Sequence, residues 1–482
     1  MSYQPHNDAP TLRDRLDRLA LVREVARVAV ECQPPAAFGV HGDWGAGKTS
    51  FLRQLRYHLN DSTDSGLEPP VPGTLEPAKY SGKVVTVWFE AWRYQNEPAP
   101  VVALLHEIRR EFSVLAKGLK SAGKIAEVTI RSLLASLGDA AKLISLEALP
   151  FSAEKVENIG KAWEKEHLAE RLPADTLSEF LRSAIETLLA SADKKGEDSV
   201  QPRVIVIIDD LDRCTPEAAF RLLEGLKIYL SLPNCVFVLG MNQQAVIDAI
   251  AKQLSEKLPG GAPLLRAEAY LEKLCAHVWR LPLPHEPLTT LCSWLNDKQL
   301  KQQIELALHD PDHKGISLRC LPPNPRRLKS FANLLSRLHA QGASIESERL
   351  TRCLLLFTYV YQFHGDLFMR WQYELDFWRE LRNWALGDIR TAPAEGEASK
   401  PLLHECLSQY RLLCAPGDTQ PKQSYMTAFP DPCAVDVFWM GPLLIQLAMN
   451  EQDATKSRDF QDLFRLESRL AEQSQTKSEA AP

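Results

Sequence analysis

The sequence is short of the features that mark membrane, secreted or metal-cluster proteins. No stretch reaches the roughly 18–20 uncharged apolar residues that a bilayer-spanning helix requires. The nearest, residues 125–151, is interrupted by Glu127, Arg131, Asp139, Lys142 and Glu147, so it reads as amphipathic helix and not as a span. The opening MSYQPHNDAPTLRDRL has no apolar segment, which argues against a secretory signal. The ten cysteines contain no CxxC pair and no Cys/His metal spacing, and the twelve histidines form no ligand pattern. A disulfide framework is thereby disfavoured, and a reducing, cytoplasmic setting is expected. Charge of one sign is also scarce. A net charge of −6 on 482 residues provides no global attraction for nucleic acid, leaving only a local basic patch as a route to it. No fixed-period repeat is visible, which excludes a solenoid.

What is present is a 45% hydrophobic chain, long enough for two domains or for one domain with insertions. An opening helix is expected over residues 12–32, with apolar residues at helical spacing (Leu16, Leu19, Leu21, Val22, Val25, Val28) and a stop at Pro34-Pro35. Strands then alternate with helices. AFGVHG precedes the helix GKTSFLRQLRYHL, and KVVTVWFEAW follows a Pro/Gly-rich link at residues 60–82. RVIVIIDD precedes AAFRLLEGLKIYLS, CVFVLGMN precedes QQAVIDAIAKQL, and RAEAYLEKLCAHV precedes a short strand, WRLPLP. This alternation predicts a doubly wound, mainly parallel five-stranded α/β sheet. Residues 1–97 and 192–284 form its core and 98–191 a helical insertion. Residues 285–470 form an all-α C-terminal part, whose first segment (285–340) carries lid or sensor helices. A loop is expected at 388–400 and a frayed tail at 471–482.

Gly42-Asp43-Trp44-Gly45-Ala46-Gly47-Lys48-Thr49 fits GxxxxGK[ST] between a strand and a helix, the Walker A pattern. Such a loop curls backbone N–H groups around phosphate oxygens at a helix N-terminus. Lys48 is expected to reach the β- and γ-phosphates of ATP, Thr49 to ligate Mg²⁺, and Ser50 to complete the loop. VIVIIDDLDR supplies the second half. Asp209 ends an apolar strand and suits the acid that holds Mg²⁺; Asp210 follows where a water-polarising acid is expected, although Glu is commoner there. Asp210 and Asp212 are alternatively caps of the next helix.

Around this pair lie weaker signals. Glu90 and Arg93 of WFEAWRYQNEP fall near the carboxyl edge of the sheet, where α/β folds bind ligands, while Trp88, Phe89 and Trp92 suit core packing. Asn242 either contacts the lytic water or γ-phosphate, or forms a turn before the next helix. Arg326, Arg327 and Lys329 crowd the first turns of a helix, where cations oppose the helix dipole; they face an anion or simply a solvated surface. The aromatic-rich residues 357–384 suit a packed helical core, or a partner-binding face. Arg213 pairs with Asp212 or Asp210, or faces the nucleotide of a neighbouring subunit.

DRLDR, HGDWGAGKTSFL, WFEAWRY, VIVIIDDLDRC, VFVLGMN, AYLEKLCAHVWRLPLP and PPNPRRLKSFAN, in this order, resemble the KAP family of P-loop NTPases over residues 10–340. The resemblance implies an ATPase core with an extra strand between the P-loop strand and the Mg-binding strand. It implies the same roles for Lys48, Thr49, Asp209 and Asp210, and a second-sensor position at Arg326 or Arg327. Family members usually carry Asp where Asn242 stands, and often transmembrane hairpins, which this insertion lacks. Bacterial relatives look like components of multi-gene systems, including defence against phage. Three functions follow as expectations. The first is a slow ATPase switch acting on partner proteins and forming a homo-oligomer. The second is a nucleic-acid-stimulated motor, the third a nucleotide-gated scaffold that does not hydrolyse. A small-molecule kinase fits least, because no compact Arg-rich lid follows the fourth strand.

Overall fold

The computed structural model describes residues 5–61, 66–77, 84–96, 103–104, 107, 203–229, 234–257, 262–284, 286–308, 321, 324–363, 365–373 and 460–467. The chain divides into two units, Ala9–Leu281 and Met1–Asp8 with Pro282–Pro482. Nearly all of the expected insertion (98–191), the loop at 388–400, the tail at 471–482 and most of the chain after residue 373 lie outside the described residues.

The first unit is built on five parallel strands: β1 (Ala36–His41), β2 (Val84–Glu90), β3 (Arg203–Asp209), β4 (Cys235–Met241) and β5 (His277–Arg280). Their order is β2-β3-β4-β1-β5, so β4 separates the P-loop strand β1 from β3. The strand order agrees with the extra strand implied by the family resemblance, and every pairing is parallel. Both faces are covered, which is why β3 and β4 are apolar without alternation and buried at every position. Period-two geometry still divides their side chains. Val204, Val206 and Ile208 face α3 (Pro216–Tyr229), α4 (Gln243–Lys257) and α5 (Pro263–Leu274). Ile205 and Ile207 join Val236 and Val238 against α1 (Leu19–Glu31) and α2 (Lys48–Asn60).

Two boundaries differ from expectation. The opening helix starts at Leu19, not Leu12. The Asp14 carboxylate accepts the backbone N–H groups of Leu16, Arg18 and Leu19, and Asp17 has φ 55°, so Leu12–Arg18 follows a side-chain-ordered path instead of a helical one. The fifth strand runs over His277–Arg280 and not into LPLP, because Pro282 has no N–H with which to continue the ladder.

The second unit is helical among its described residues: α6 (Pro287–Cys292), α7 (Lys298–Leu308), α8 (Pro325–Ala340), α9 (Glu348–Phe363) and α10 (Gly365–Tyr373), with a further helical stretch at residues 460–467. Phe357 packs on Phe368, Trp371 and Phe464, and Phe331 on Tyr359. The described part of the aromatic-rich segment is therefore mostly core, with Met369 and Tyr373 exposed.

Gly240 ties the sheet to the site. A Cβ there would lie 2.4 Å from Cδ1 of the buried Leu52 and 3.0 Å from Asp209 Oδ1. Gly240→Ala is expected to cost about 1–3 kcal/mol by overpacking, read as a lower thermal unfolding midpoint.

Candidate functional site

The carboxyl edge of the sheet gathers the ends of β1, β2, β3 and β4. Between His41 and α2 the chain turns through the P-loop. Gly45 (φ 81°) and Gly47 (φ 88°) take the left-handed conformation that only glycine adopts without strain. The loop is held from several sides. Gly42 N–H donates to the Met241 carbonyl at 3.2 Å, and Ala46 N–H to the Asp43 carbonyl at 3.0 Å. The buried Arg18 guanidinium donates to the Ala46 carbonyl at 2.6 Å; burial pushes its pKa down to about 10, well above neutral. Ser50 Oγ accepts the Thr11 N–H at 3.2 Å. His41 Nδ1 accepts the Gln243 N–H at 2.9 Å, and burial lowers the His41 pKa.

Lys48 opens α2 and is buried. Its Nζ donates to the Gly42 carbonyl at 2.8 Å and the Asp43 carbonyl at 3.4 Å, and pairs with Asp212 Oδ2 at 3.2 Å. The Trp44 indole N–H donates to that same oxygen at 2.7 Å. Asp212 is therefore no cap in this structure: its Oδ2 is taken by Lys48 and Trp44, and its Oδ1 accepts no hydrogen bond among the described residues. The Asp210 side chain, which stands at the start of the Leu211–Arg213 turn, caps it no more than Asp212 does.

Asp209 is 1% exposed, and neither of its carboxylate oxygens has a hydrogen-bond partner among the described residues. Burial, then the charge of Asp210, raises its pKa from 3.8 to about 7; the nearby Thr49 hydroxyl and Lys48 oppose this without good hydrogen-bond geometry to either oxygen. A buried carboxylate with open oxygens beside a hydroxyl suits a hard divalent cation such as Mg²⁺, which takes few protein ligands and completes its shell with water and phosphate oxygens. Among the described residues no group of three or more His, Cys, Asp or Glu forms a denser metal cage.

Asp210 takes the left-handed conformation (φ 58°), tolerated by aspartate. Its Oδ1 pairs with Arg213 Nε at 2.9 Å, so Arg213 takes Asp210 and not Asp212. Burial raises the Asp210 pKa, against the pull of Arg213. On the neighbouring strand Glu90 stands opposite Asp209. Its carboxylate accepts Arg53 at 3.3 Å and the Trp88 indole at 3.2 Å, and pairs with Arg93. The Arg53 guanidinium also stacks 3.5 Å over the Trp88 ring. Trp88 and Phe89 are core residues as expected, whereas Trp92 is 40% exposed. Its turn, Ala91–Tyr94, leaves the sheet and carries that ring outward.

Asn242 performs the turn role: its Oδ1 accepts the N–H groups of Gln244 and Ala245 at 3.1 and 3.3 Å, capping α4. Its Nδ2 donates to Asp43 Oδ1 at 3.1 Å, so the same amide braces the P-loop. In the helical unit, Arg326 pairs with Asp8 at 2.8 Å, Arg327 lies over the Phe363 ring, and Lys329 donates to the Asn7 carbonyl at 3.1 Å. The structure thus brings together the P-loop, Asp209, Asp210, Arg213 and Asn242, and engages Arg326 and Arg327 within the second unit. Three further residues serve the site: Arg18 and its Asp14, which the sequence offers only within the DRLDR segment, and Asp212, which it offers as a cap or as a partner of Arg213. The D-x-L-D-R pattern shared by residues 14–18 and 209–213 is the available signal.

The native chain holds the Asp209 proton between about pH 4 and 7 where the unfolded chain has lost it, so this group's contribution is full below pH 4 and lost as pH rises through 7. Nucleotide-free Asp209→Asn is expected to melt above the parent at pH 8, with the advantage shrinking as pH falls and gone only below about pH 4. Asn242→Asp keeps the cap but sets two carboxylates face to face, and is expected to weaken nucleotide binding about five- to tenfold, measured by titration.

No helix among the described residues is long and apolar enough to cross a membrane. Among curated proteins none matches the chain. The KAP family P-loop domain matches residues 20–341, about two thirds of the chain, and spans all five strands and the whole P-loop site. That domain implies nucleotide binding. The chain belongs to the KAP family of P-loop NTPases.

Proposed function

We propose that the chain is a cytoplasmic ATP-binding and slowly hydrolysing switch, whose nucleotide state controls assembly with partner proteins or with further copies of itself. The observation that carries this reading is the buried Asp209 carboxylate, whose oxygens have no well-formed hydrogen bond among the described residues, beside Thr49 and Lys48 at the mouth of the P-loop. Unpaired buried carboxylates are costly unless a cation or proton meets them, and such groups concentrate at functional sites.

In this reading the P-loop N–H groups and Lys48 bind the triphosphate, and Thr49 and Asp209 hold Mg²⁺. When bound, the cation would supply positive charge against the phosphoryl group. Asp210 polarises the attacking water. Its salt bridge to Arg213 competes with that role, because a carboxylate engaged by a guanidinium is a weaker base. Slow turnover follows, and any partner that draws Arg213 away would accelerate it. A nucleic-acid-driven motor receives less support. The RRLK cations expected to serve it pair or pack within the chain, Arg326 on Asp8 and Arg327 over Phe363. A role in a multi-gene antiviral system is what the family resemblance suggests for the output.

The test is steady-state phosphate release from ATP. Lys48→Ala and Asp209→Ala are each expected to abolish it. Asp210→Asn is expected to lower it about 10²–10⁴-fold while leaving ATP bound, the usual scale for loss of a general base. Undiminished turnover in the Lys48 and Asp209 variants would sink the reading. Nucleotide-independent oligomeric and partner-bound states would sink the switch.

A further inference from the structure

The Lys48 ammonium has three N–H donors, and all three are engaged: on the carbonyls of Gly42 and Asp43 and on Asp212 Oδ2. A lysine so occupied must release a partner before it can hold a phosphate. The two carbonyls belong to the loop itself. Asp212 is the partner that resembles the ligand, because it offers an anionic oxygen where the lysine charge points.

The surroundings of Asp212 argue that it is there to be displaced. Its side chain is 1% exposed, yet only Oδ2 is used, and the buried Oδ1 has no partner among the described residues. Among the described residues neither of its oxygens accepts a backbone N–H. It also lies near Asp210, whose ionisation it disfavours. Like charges at such range repel, so Asp212 is retained by Lys48 and by the indole N–H of Trp44. Trp44 is 55% exposed, so the buried end of this contact is coupled to an exposed ring in the P-loop.

We infer that Asp212 is an internal stand-in for phosphate, which latches Lys48 and Trp44 through one oxygen and competes with nucleotide for the lysine. The inference rests on the P-loop being the nucleotide site. When Lys48 turns to phosphate, Asp212 loses its counter-ion while facing Asp210 and a new anion, and is driven outward. The Trp44 indole is released with it. The triphosphate thereby changes the exposed face of the P-loop, and the latch lowers apparent affinity by the free energy needed to open it.

The test is titration of full-length chain with a non-hydrolysable, Mg²⁺-bound ATP analogue. Asp212→Asn and Asp212→Ala are expected to bind about tenfold more tightly than the parent, as loss of a charge-assisted contact predicts. Trp44→Phe, at an exposed position, is expected to bind about threefold more tightly, as loss of one hydrogen bond implies. The parent is expected to change tryptophan emission on binding, and Trp44→Phe to lose that change. Equal or weaker binding by Trp44→Phe and by folded Asp212 variants would overturn the latch while leaving the nucleotide site intact. A parent that binds no analogue would overturn both readings.

Discussion

A carboxylate held in the interior without a well-formed hydrogen bond among the described residues is the constraint around which this site is arranged. Asp209 ends a strand whose other residues are all buried, so its charge meets low dielectric on every side and its pKa rises to about 7. Thr49 and Lys48 supply what opposes this from α2, and Arg213 holds the neighbouring Asp210. Gly240 on β4 leaves the space that the Asp209 carboxylate fills. Each of these residues is placed by the strand order, because β4 lies between the P-loop strand and β3 and sets the width of the cleft.

The P-loop is preorganised by contacts from segments distant in sequence. Arg18 takes the Ala46 carbonyl, Met241 takes the Gly42 N–H and Asn242 takes the Asp43 carboxylate. With the backbone fixed in this way, little loop ordering remains for nucleotide to drive, and the main change left is a side-chain exchange at Lys48. A fixed backbone and an exchangeable lysine fit the proposed switch.

The sheet was legible because buried parallel strands carry unbroken apolar runs and the helices between them carry the 3.6 period. VIVIIDD and VFVLGM could hardly be anything else. The P-loop and the Asp209–Asp210 pair were legible because phosphate binding demands glycine, lysine and hydroxyl at fixed spacing. Less visible were choices that only three dimensions settle. Leu12–Arg18 has helical apolar spacing, yet Asp14 recruits the backbone N–H groups that a helix would have used. Arg213 had two acids within reach along the chain, and the left-handed turn at Asp210 decides between them. Asp212 looked like a cap, since aspartate near a helix start usually is one, and its tie to Lys48 spans 164 residues.

The most direct measurement of the central claim is calorimetric titration of ATP into the full chain with and without Mg²⁺. If Thr49 and the open oxygens of Asp209 form a cation site against the triphosphate, one ATP binds per chain, and the affinity is markedly higher when Mg²⁺ is present. Binding of equal strength under both conditions would contradict the account.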